Sequence, residues 1–205
     1  MTDATIEAPH EHHHVASDHE IAARAENLKM ATWLFLASEV VIFSVLIAIY
    51  FLFRLEFPER VKEVHETAGV FLVAINTFLL LTSSWTMVMG LRAISKDNRQ
   101  GLIQWFSFTA VLGAVFLGLQ FVEYNTLSAE GITLYGDSFG MRFYAPTAFH
   151  GFHVFIGVVW SLLVINHARK GGYSKRDHIG VEVFGLYWHF VDVVWIVLFT
   201  VIYLL

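Results

Sequence analysis

Five long apolar segments constrain this chain more than any other feature of its sequence. A bilayer core about 30 Å thick needs ~20 residues of helix to cross it. Lipid offers no partner to backbone N–H and C=O groups, so each segment must form a helix. The segments cover approximately residues 31–53, 70–91, 102–122, 146–168 and 184–205. The sequence therefore predicts an all-α membrane protein, a bundle of five transmembrane helices that forms one domain over residues 29–205.

The composition agrees with a lipid environment and excludes several functions. Of the 205 residues, 56% are hydrophobic and only 15% are charged. The chain has no cysteine, which excludes disulfides, thiolate metal sites and cysteine nucleophiles. It has no basic stripe of the kind that binds nucleic acid. Because almost everything after Lys29 is membrane segment or short connection, we expect no catalytic head domain and no catalytic residues.

The first 28 residues are polar and rich in histidine. They contain no apolar stretch, so they do not form a secretory signal peptide. A segment this polar cannot bury enough apolar surface to fold alone, and we expect a disordered tail. Its histidines could bind a divalent cation, but their spacing defines no ligand geometry, and no metal site is predicted. These histidines are His10, His12, His13, His14 and His19.

The distribution of basic residues predicts the orientation in the membrane, because cytoplasmic loops carry an excess of Lys and Arg. Nine of the 13 basic residues lie in the tail, the second loop and the fourth loop. The other four are Arg54, Arg60, Lys62 and Arg142, in the first and third loops. We therefore expect a cytoplasmic N-terminus and a C-terminus outside.

Small residues recur at four-residue spacing on the third segment. Ala110, Ala114 and Gly118 would let the backbone of another helix approach closely. We expect this face to be a packing seam.

Glu39 lies inside the first apolar segment, with no cation in the same segment. An ionisable group near the bilayer centre costs at least ~2.5 kcal/mol, so it needs a structural or functional reason. Two interpretations stay open. Glu39 is either a protonated or hydrogen-bonded packing residue, or a carboxyl that faces a wet or lipid-filled cleft.

The fourth and fifth segments carry pairs of polar residues one helical turn apart. We expect a structural polar network that joins the two helices, since a neutral histidine needs only one donor and one acceptor. Haem ligation by a histidine from each helix is the alternative that the spacing also permits. The candidate network residues are Glu123, His150, His153, Glu182, His189 and Asp192.

Four motifs taken together resemble subunit III of the haem-copper respiratory oxidases, in a short five-helix bacterial form. They are LFLASEV in the first segment, GLQFVEY at the end of the third, FYAPTAFHGFHVFIG entering the fourth and YWHFVDVVWIVLFTVIYLL closing the chain. The motifs occur in the order of that family, and the resemblance runs from about Leu28 to Leu205. It favours a structural polar network over haem ligation.

The resemblance implies a haem-free accessory subunit of a proton-pumping terminal oxidase in a bacterial inner membrane. Haems and copper would lie in partner subunits, chiefly the large catalytic subunit I. The subunit would bind phospholipid, stabilise subunit I and support its proton uptake. The reactive intramembrane carboxyl of the family falls on Glu39, and basic residues that meet lipid head groups fall on Lys29 and Arg169.

Cytochrome c oxidase is the parent enzyme expected first. Quinol oxidase and nitric oxide reductase accessory subunits are alternatives, as is an independent haem b anchor built on His150, His153 and His189. Seven-helix relatives carry two more N-terminal helices that complete a lipid cleft. Because the resemblance begins at the equivalent of their third helix, we expect another subunit to supply the missing wall.

Overall fold

Five long helices make up the described part of the fold. The computed structural model describes residues 18–59, 69–129, 131, 133 and 138–205. The helices are α1 (Asp18–Glu56), α2 (Val70–Ile94), α3 (Arg99–Ala129), α4 (Ser138–Arg169) and α5 (Ile179–Phe199), and α5 continues into a π-helical turn at Thr200–Leu204. All five are long and apolar enough to cross a membrane. The predicted fold class is confirmed, while the orientation of the termini stays a prediction.

Four helices begin earlier than the sequence indicated, and two of them, α1 and α4, do so by eight residues or more. Helix α4 starts at Ser138 and contains Pro146 in its interior, whereas the apolar segment opens at that proline. Helix α1 starts at Asp18, so residues 18–28, which the composition assigned to a disordered tail, are helical. Ion pairs hold this part of α1 against the start of α5 and the loop before it: Arg24 with Asp177 at 3.9 Å and Lys29 with Glu182 at 2.5 Å.

Several expectations fall outside the described residues. The histidines at positions 10 and 12–14 and most of the polar tail belong to this group. Arg60 and Lys62 of the first loop, two of the basic residues on which the predicted orientation rests, also belong to it.

Helix α5 lies at the centre of the bundle. It packs against α1, α2 and α4, while α3 packs against α2 and α4. Two buried tryptophans fasten it to α2 through hydrogen bonds to hydroxyl groups. Trp188 Nε1 donates to Ser83 Oγ at 3.0 Å, and Trp195 Nε1 donates to Thr77 Oγ1 at 2.9 Å. Each bond satisfies an indole N–H that lipid could not satisfy.

The close approach of helices uses different small residues from those predicted. Ala114 and Gly118 are exposed, and a Cβ at Gly118 would meet nothing within 4 Å. Within this chain only Ala110 is buried, so a packing seam over the whole face stays a prediction for a helix of another subunit. A Cβ at Gly157 would instead overlap the Trp188 ring, and one at Gly113 would lie 3.0 Å from the same ring. The large indole of Trp188 thus leaves no room for a side chain at Gly113 or Gly157.

The end of α1 caps the carboxyl end of the chain. The π-helical turn shifts the backbone hydrogen bonds there, and two side chains of α1 reach its carbonyl oxygens. Arg54 Nη1 donates to Val201 O at 3.2 Å, and Tyr50 OH donates to Ile202 O at 3.5 Å. The last turn is thereby joined to the first helix of the bundle.

Replacing Gly157 by Val should loosen the contact between α4 and α5, because the new side chain overlaps the Trp188 ring. We expect a loss of about 1–3 kcal/mol in stability, measured as a lower unfolding temperature in detergent. The matched control is Gly118→Val, which adds the same group to an open helix face. Equal unfolding temperatures for the two variants would contradict this packing.

Candidate functional site

A buried pair formed by Glu39 of α1 and His153 of α4 is the centre of the candidate site. The carboxyl oxygen Oε2 of Glu39 lies 3.2 Å from His153 Nε2. Glu39 is 8% exposed and His153 is 5% exposed. The pair joins the first helix to the fourth inside the apolar segments. The imidazole gives the Glu39 carboxyl a partner, which explains how a carboxyl can lie in an apolar segment.

The contact of the other ring nitrogen, Nδ1, shows which tautomer the His153 ring adopts. His153 Nδ1 lies 2.8 Å from the backbone oxygen of Phe149, which can only accept a hydrogen bond. Nδ1 therefore carries a hydrogen. Nε2 is therefore the ring atom that faces the Glu39 carboxyl, at an ion-pair distance of 3.2 Å but without the geometry of a hydrogen bond.

Aromatic side chains enclose the pair. The rings of Phe149 and Phe43 lie 4.7 Å and 5.3 Å from the His153 ring. Tyr187 of α5 stacks on the other side at 6.4 Å, and its hydroxyl donates to the backbone oxygen of His153 at 2.9 Å. This apolar wall strengthens the attraction between Glu39 and His153, because no water competes for it.

His150 lies one turn before His153 but in different surroundings. It is fully buried, and neither ring nitrogen has a hydrogen-bond partner. Its ring stacks on Trp195 at 4.8 Å and meets the edge of Phe116 at 5.8 Å. His150 and His153 share a contact with the Phe43 ring, but only His153 faces a carboxyl.

Asp192 and His189 of α5 both lie beside Ser84 of α2. Ser84 Oγ lies 2.7 Å from His189 Nδ1 and also beside the Asp192 carboxyl. Asp192 is buried, and neither of its oxygens has a hydrogen bond of good geometry. His189 is exposed on the outside of the bundle. The serine hydroxyl thus lies between a buried carboxyl and an exposed imidazole.

The remaining candidates are paired near the helix ends. Glu123 accepts a hydrogen bond from Tyr203 OH at 2.8 Å. Glu182 pairs with Lys29 and lies 3.3 Å from His178 Nε2. The structure thus forms separate pairs in place of the single network expected between the fourth and fifth helices. Their partners come mostly from α1, α2 and the chain end, which the i, i+3 spacing could not reveal.

The geometry does not fit haem ligation. Both ring nitrogens of His153 are engaged, by Glu39 and by a backbone carbonyl. The His150 ring is covered by two aromatic rings, whereas His189 is exposed on the outside of the bundle. In the described part of the chain, no three His, Asp or Glu side chains come together as a metal-ligand group.

A cavity of about 340 Å³ lies at the end of α4, beside the loop that leads to α5. Its lining combines apolar and polar side chains: Trp160, Leu163, Val164, Asn166, His167, Lys170 and Tyr173. Lys29 and Arg169, the two basic residues expected to meet lipid, are not in this lining. Lys29 is occupied by Glu182, and Arg169 is exposed.

Tyr173 in the cavity wall is a hydrogen-bond donor at neutral pH. Burial, and then the negative charge of Asp177, raise the pKa of its hydroxyl above the usual value. The phenol therefore keeps its proton across the physiological range. With Lys170 it gives the cavity two groups that can donate to an anion.

These features define a polytopic membrane protein in which several acidic and histidine side chains are buried inside the bundle. Residues 7–205 match the family model described as cytochrome c oxidase subunit III. The chain is 44% identical to a cytochrome c oxidase subunit 3 of Thermostichus vulcanus, over 83% of this chain and 84% of that protein. It is 42% identical to a Synechocystis protein of the same name, over 84% of this chain and 73% of that protein. A quinol oxidase subunit 3 of Bacillus subtilis is 34% identical, over 84% of each chain. The chain belongs to the cytochrome c oxidase subunit III family.

Replacing His153 by Leu should destabilise the bundle, because the buried Glu39 carboxyl loses its partner. We expect a loss of about 1–3 kcal/mol, measured as the unfolding temperature in detergent. Glu39→Gln should cost less, since an amide can still donate a hydrogen bond to Nε2. A Glu39→Gln variant less stable than the His153→Leu variant would contradict the pairing.

Proposed function

We propose that the chain is the haem-free accessory subunit III of a bacterial proton-pumping terminal oxidase, and that it lies in the inner membrane with its N-terminus in the cytoplasm. The match of residues 7–205 to the subunit III family carries this proposal. Oxygen chemistry takes place in the large catalytic subunit, which holds the haems and copper. This chain contributes a surface for its partner subunit, sites for lipid, and the buried pair of Glu39 and His153.

Cytochrome c oxidase is the parent enzyme that the relatives favour. The two relatives at 44% and 42% identity are named as subunits of that enzyme, and the quinol oxidase relative is at 34%. Quinol oxidase is the second candidate, on the strength of that relative. The electron donor binds to other subunits, so the two enzymes make the same physical demands on this chain.

Phospholipid binding is supported by the cavity at the end of α4. Trp160, Leu163 and Val164 offer an apolar wall for an acyl chain. Lys170 and Tyr173 can donate to a phosphate at its rim. The lining therefore suits both ends of a phospholipid.

The basic residues near this cavity have unequal parts in lipid binding. We propose Lys170 as the main contact of the head group, because it lies in the cavity lining. Arg169 adds a positive charge at the same helix end. Lys29 has the lesser part, because its charge is balanced by Glu182.

Support of proton uptake is assigned to Glu39 and His153. The pair places a carboxyl oxygen and an imidazole nitrogen 3.2 Å apart in an apolar part of the bundle, and both are groups that can take up and release protons. Helix α1 is the least buried of the five spans, so much of its surface is open to a neighbour. We propose that another subunit covers α1 in the complex and completes the lipid cleft.

Purification of the tagged chain from its native membrane tests the proposal. We expect a large copper-containing subunit to copurify, together with a haem spectrum that belongs to that subunit. Mass spectrometry identifies the partner and distinguishes cytochrome c oxidase from quinol oxidase. A lone chain with its own haem, or a complex without a haem-copper subunit, would overturn the proposal.

The Glu39 carboxyl should be the reactive carboxyl of the subunit. Apolar carbodiimides modify protonated carboxyls in membranes, and we expect Glu39→Gln to abolish labelling of this chain while the complex stays assembled. Labelling is measured by mass spectrometry of the isolated subunit. Full labelling of the Glu39→Gln variant would place the reactive carboxyl elsewhere.

Lys170→Ala should reduce the phospholipid that stays with the purified complex. Native mass spectrometry counts the bound lipids, and we expect the loss of about one lipid for each copy of the chain, since one cavity is affected. Lys175→Ala is the matched control, because Lys175 lies in the same loop but outside the cavity lining. Equal lipid content in both variants would refute the assignment of the head-group site.

A further inference from the structure

His189 differs from the four other histidine and acidic side chains that lie well inside the apolar segments. Glu39, His150, His153 and Asp192 are all buried. His189 is exposed, although it lies about 15 Å along α5 from the helix start, near the middle of the span. Ionisable groups at this depth almost always face protein or a wet cavity rather than lipid. Its exposure therefore requires an explanation.

The hydrogen bonding of His189 is incomplete. Nδ1 is engaged by Ser84 Oγ at 2.7 Å, and Nε2 has no hydrogen bond to any described residue. If Ser84 donates to Nδ1, then Nε2 carries the proton and lacks an acceptor. If Nδ1 donates to Ser84, then Nε2 is bare and lacks a donor. Either way one hydrogen bond remains to be made outside the bundle, in a medium that offers no water.

The surroundings of His189 suit a helix rather than a polar loop or water. Leu81 and Val193 lie one turn from Ser84 and His189 on their respective helices, and they are 40% and 58% exposed. We define Leu81, Ser84, His189 and Val193 as the His189 face. On two packed helices, this face places apolar side chains around the hydrogen-bonded pair of Ser84 and His189. Transmembrane helix interfaces combine apolar and polar side chains in the same way.

We propose that the His189 face docks against a transmembrane helix of the partner subunit, and that this helix offers an amide or hydroxyl side chain to His189 Nε2. The inference rests on the proposed function, since it assumes the oxidase complex. An uncharged side chain that can both donate and accept serves either tautomer of the imidazole. A charged one would add a desolvation cost in this apolar setting.

A hydrogen bond from the partner to His189 Nε2 would also affect side chains inside the bundle. Ser84 lies between His189 and the buried Asp192 carboxyl. A partner group that fixes which His189 nitrogen carries the proton therefore also fixes the direction of the Ser84 hydroxyl. Docking at this face thus orders a polar chain that ends at Asp192.

The test measures how much large haem-bearing subunit stays with this chain when the tagged complex is purified in mild detergent. We expect His189→Leu to reduce retention about three- to tenfold, the effect of one lost hydrogen bond. His189→Gln should restore most of it, because the amide can donate and accept. Val193→Trp should also reduce retention, since it places a bulky ring in the contact. Asn125→Leu, at an exposed polar position of α3, is the control and should retain the partner.

The outcomes separate this inference from the proposed function. If the unmodified chain brings down no haem-bearing subunit, the proposed function fails. If the unmodified chain retains it and both His189→Leu and Val193→Trp retain it equally well, the face meets lipid and the docking inference is overturned. If His189→Gln loses the partner as severely as His189→Leu, the hydrogen bond at Nε2 is refuted.

Discussion

The absence of water inside a bilayer governs this structure more than any single contact. A polar side chain in the apolar segments lies where lipid cannot satisfy it, so a partner has to come from its own helix or from a neighbouring one. The indole N–H groups of Trp188 and Trp195 find hydroxyl oxygens on α2, and the Glu39 carboxyl finds an imidazole on α4. These cross-helix contacts specify which helices are neighbours and in what register, in a medium where apolar attraction between helices is weak.

The central position of α5 follows from this rule. It carries the two tryptophans whose N–H groups bind α2, and one of their rings lies against Gly113 and Gly157 on two further helices. Helix α1 is held differently, by a few polar contacts along its length: Lys29 near one end, Glu39 near the middle and Arg54 near the other end. Much of its apolar surface stays open, which suits a helix that a partner subunit covers in the complex.

Polar groups left over from these pairings indicate where the molecule meets others. The cavity at the end of α4 and the Nε2 atom of His189 are both incomplete within the described part of this chain. One suits a lipid phosphate and the other a helix with a neutral polar side chain. In the proposed accessory role, these open surfaces are where the chain would meet lipid and its partner subunit.

The sequence by itself determined the number of helices, the membrane environment and the family, because segment length, hydropathy and ordered motifs need no knowledge of tertiary contacts. It also identified Glu39 and His153 as exceptional, since an ionisable residue in an apolar run is visible in the sequence. It did not reveal that they pair with each other. Nor did it reveal that Tyr203 is hydrogen-bonded to Glu123 and Ser84 to His189. Only the tertiary structure decided those partners, because hydroxyl groups carry no charge signal and the paired positions are separated by 80 or more residues in the chain.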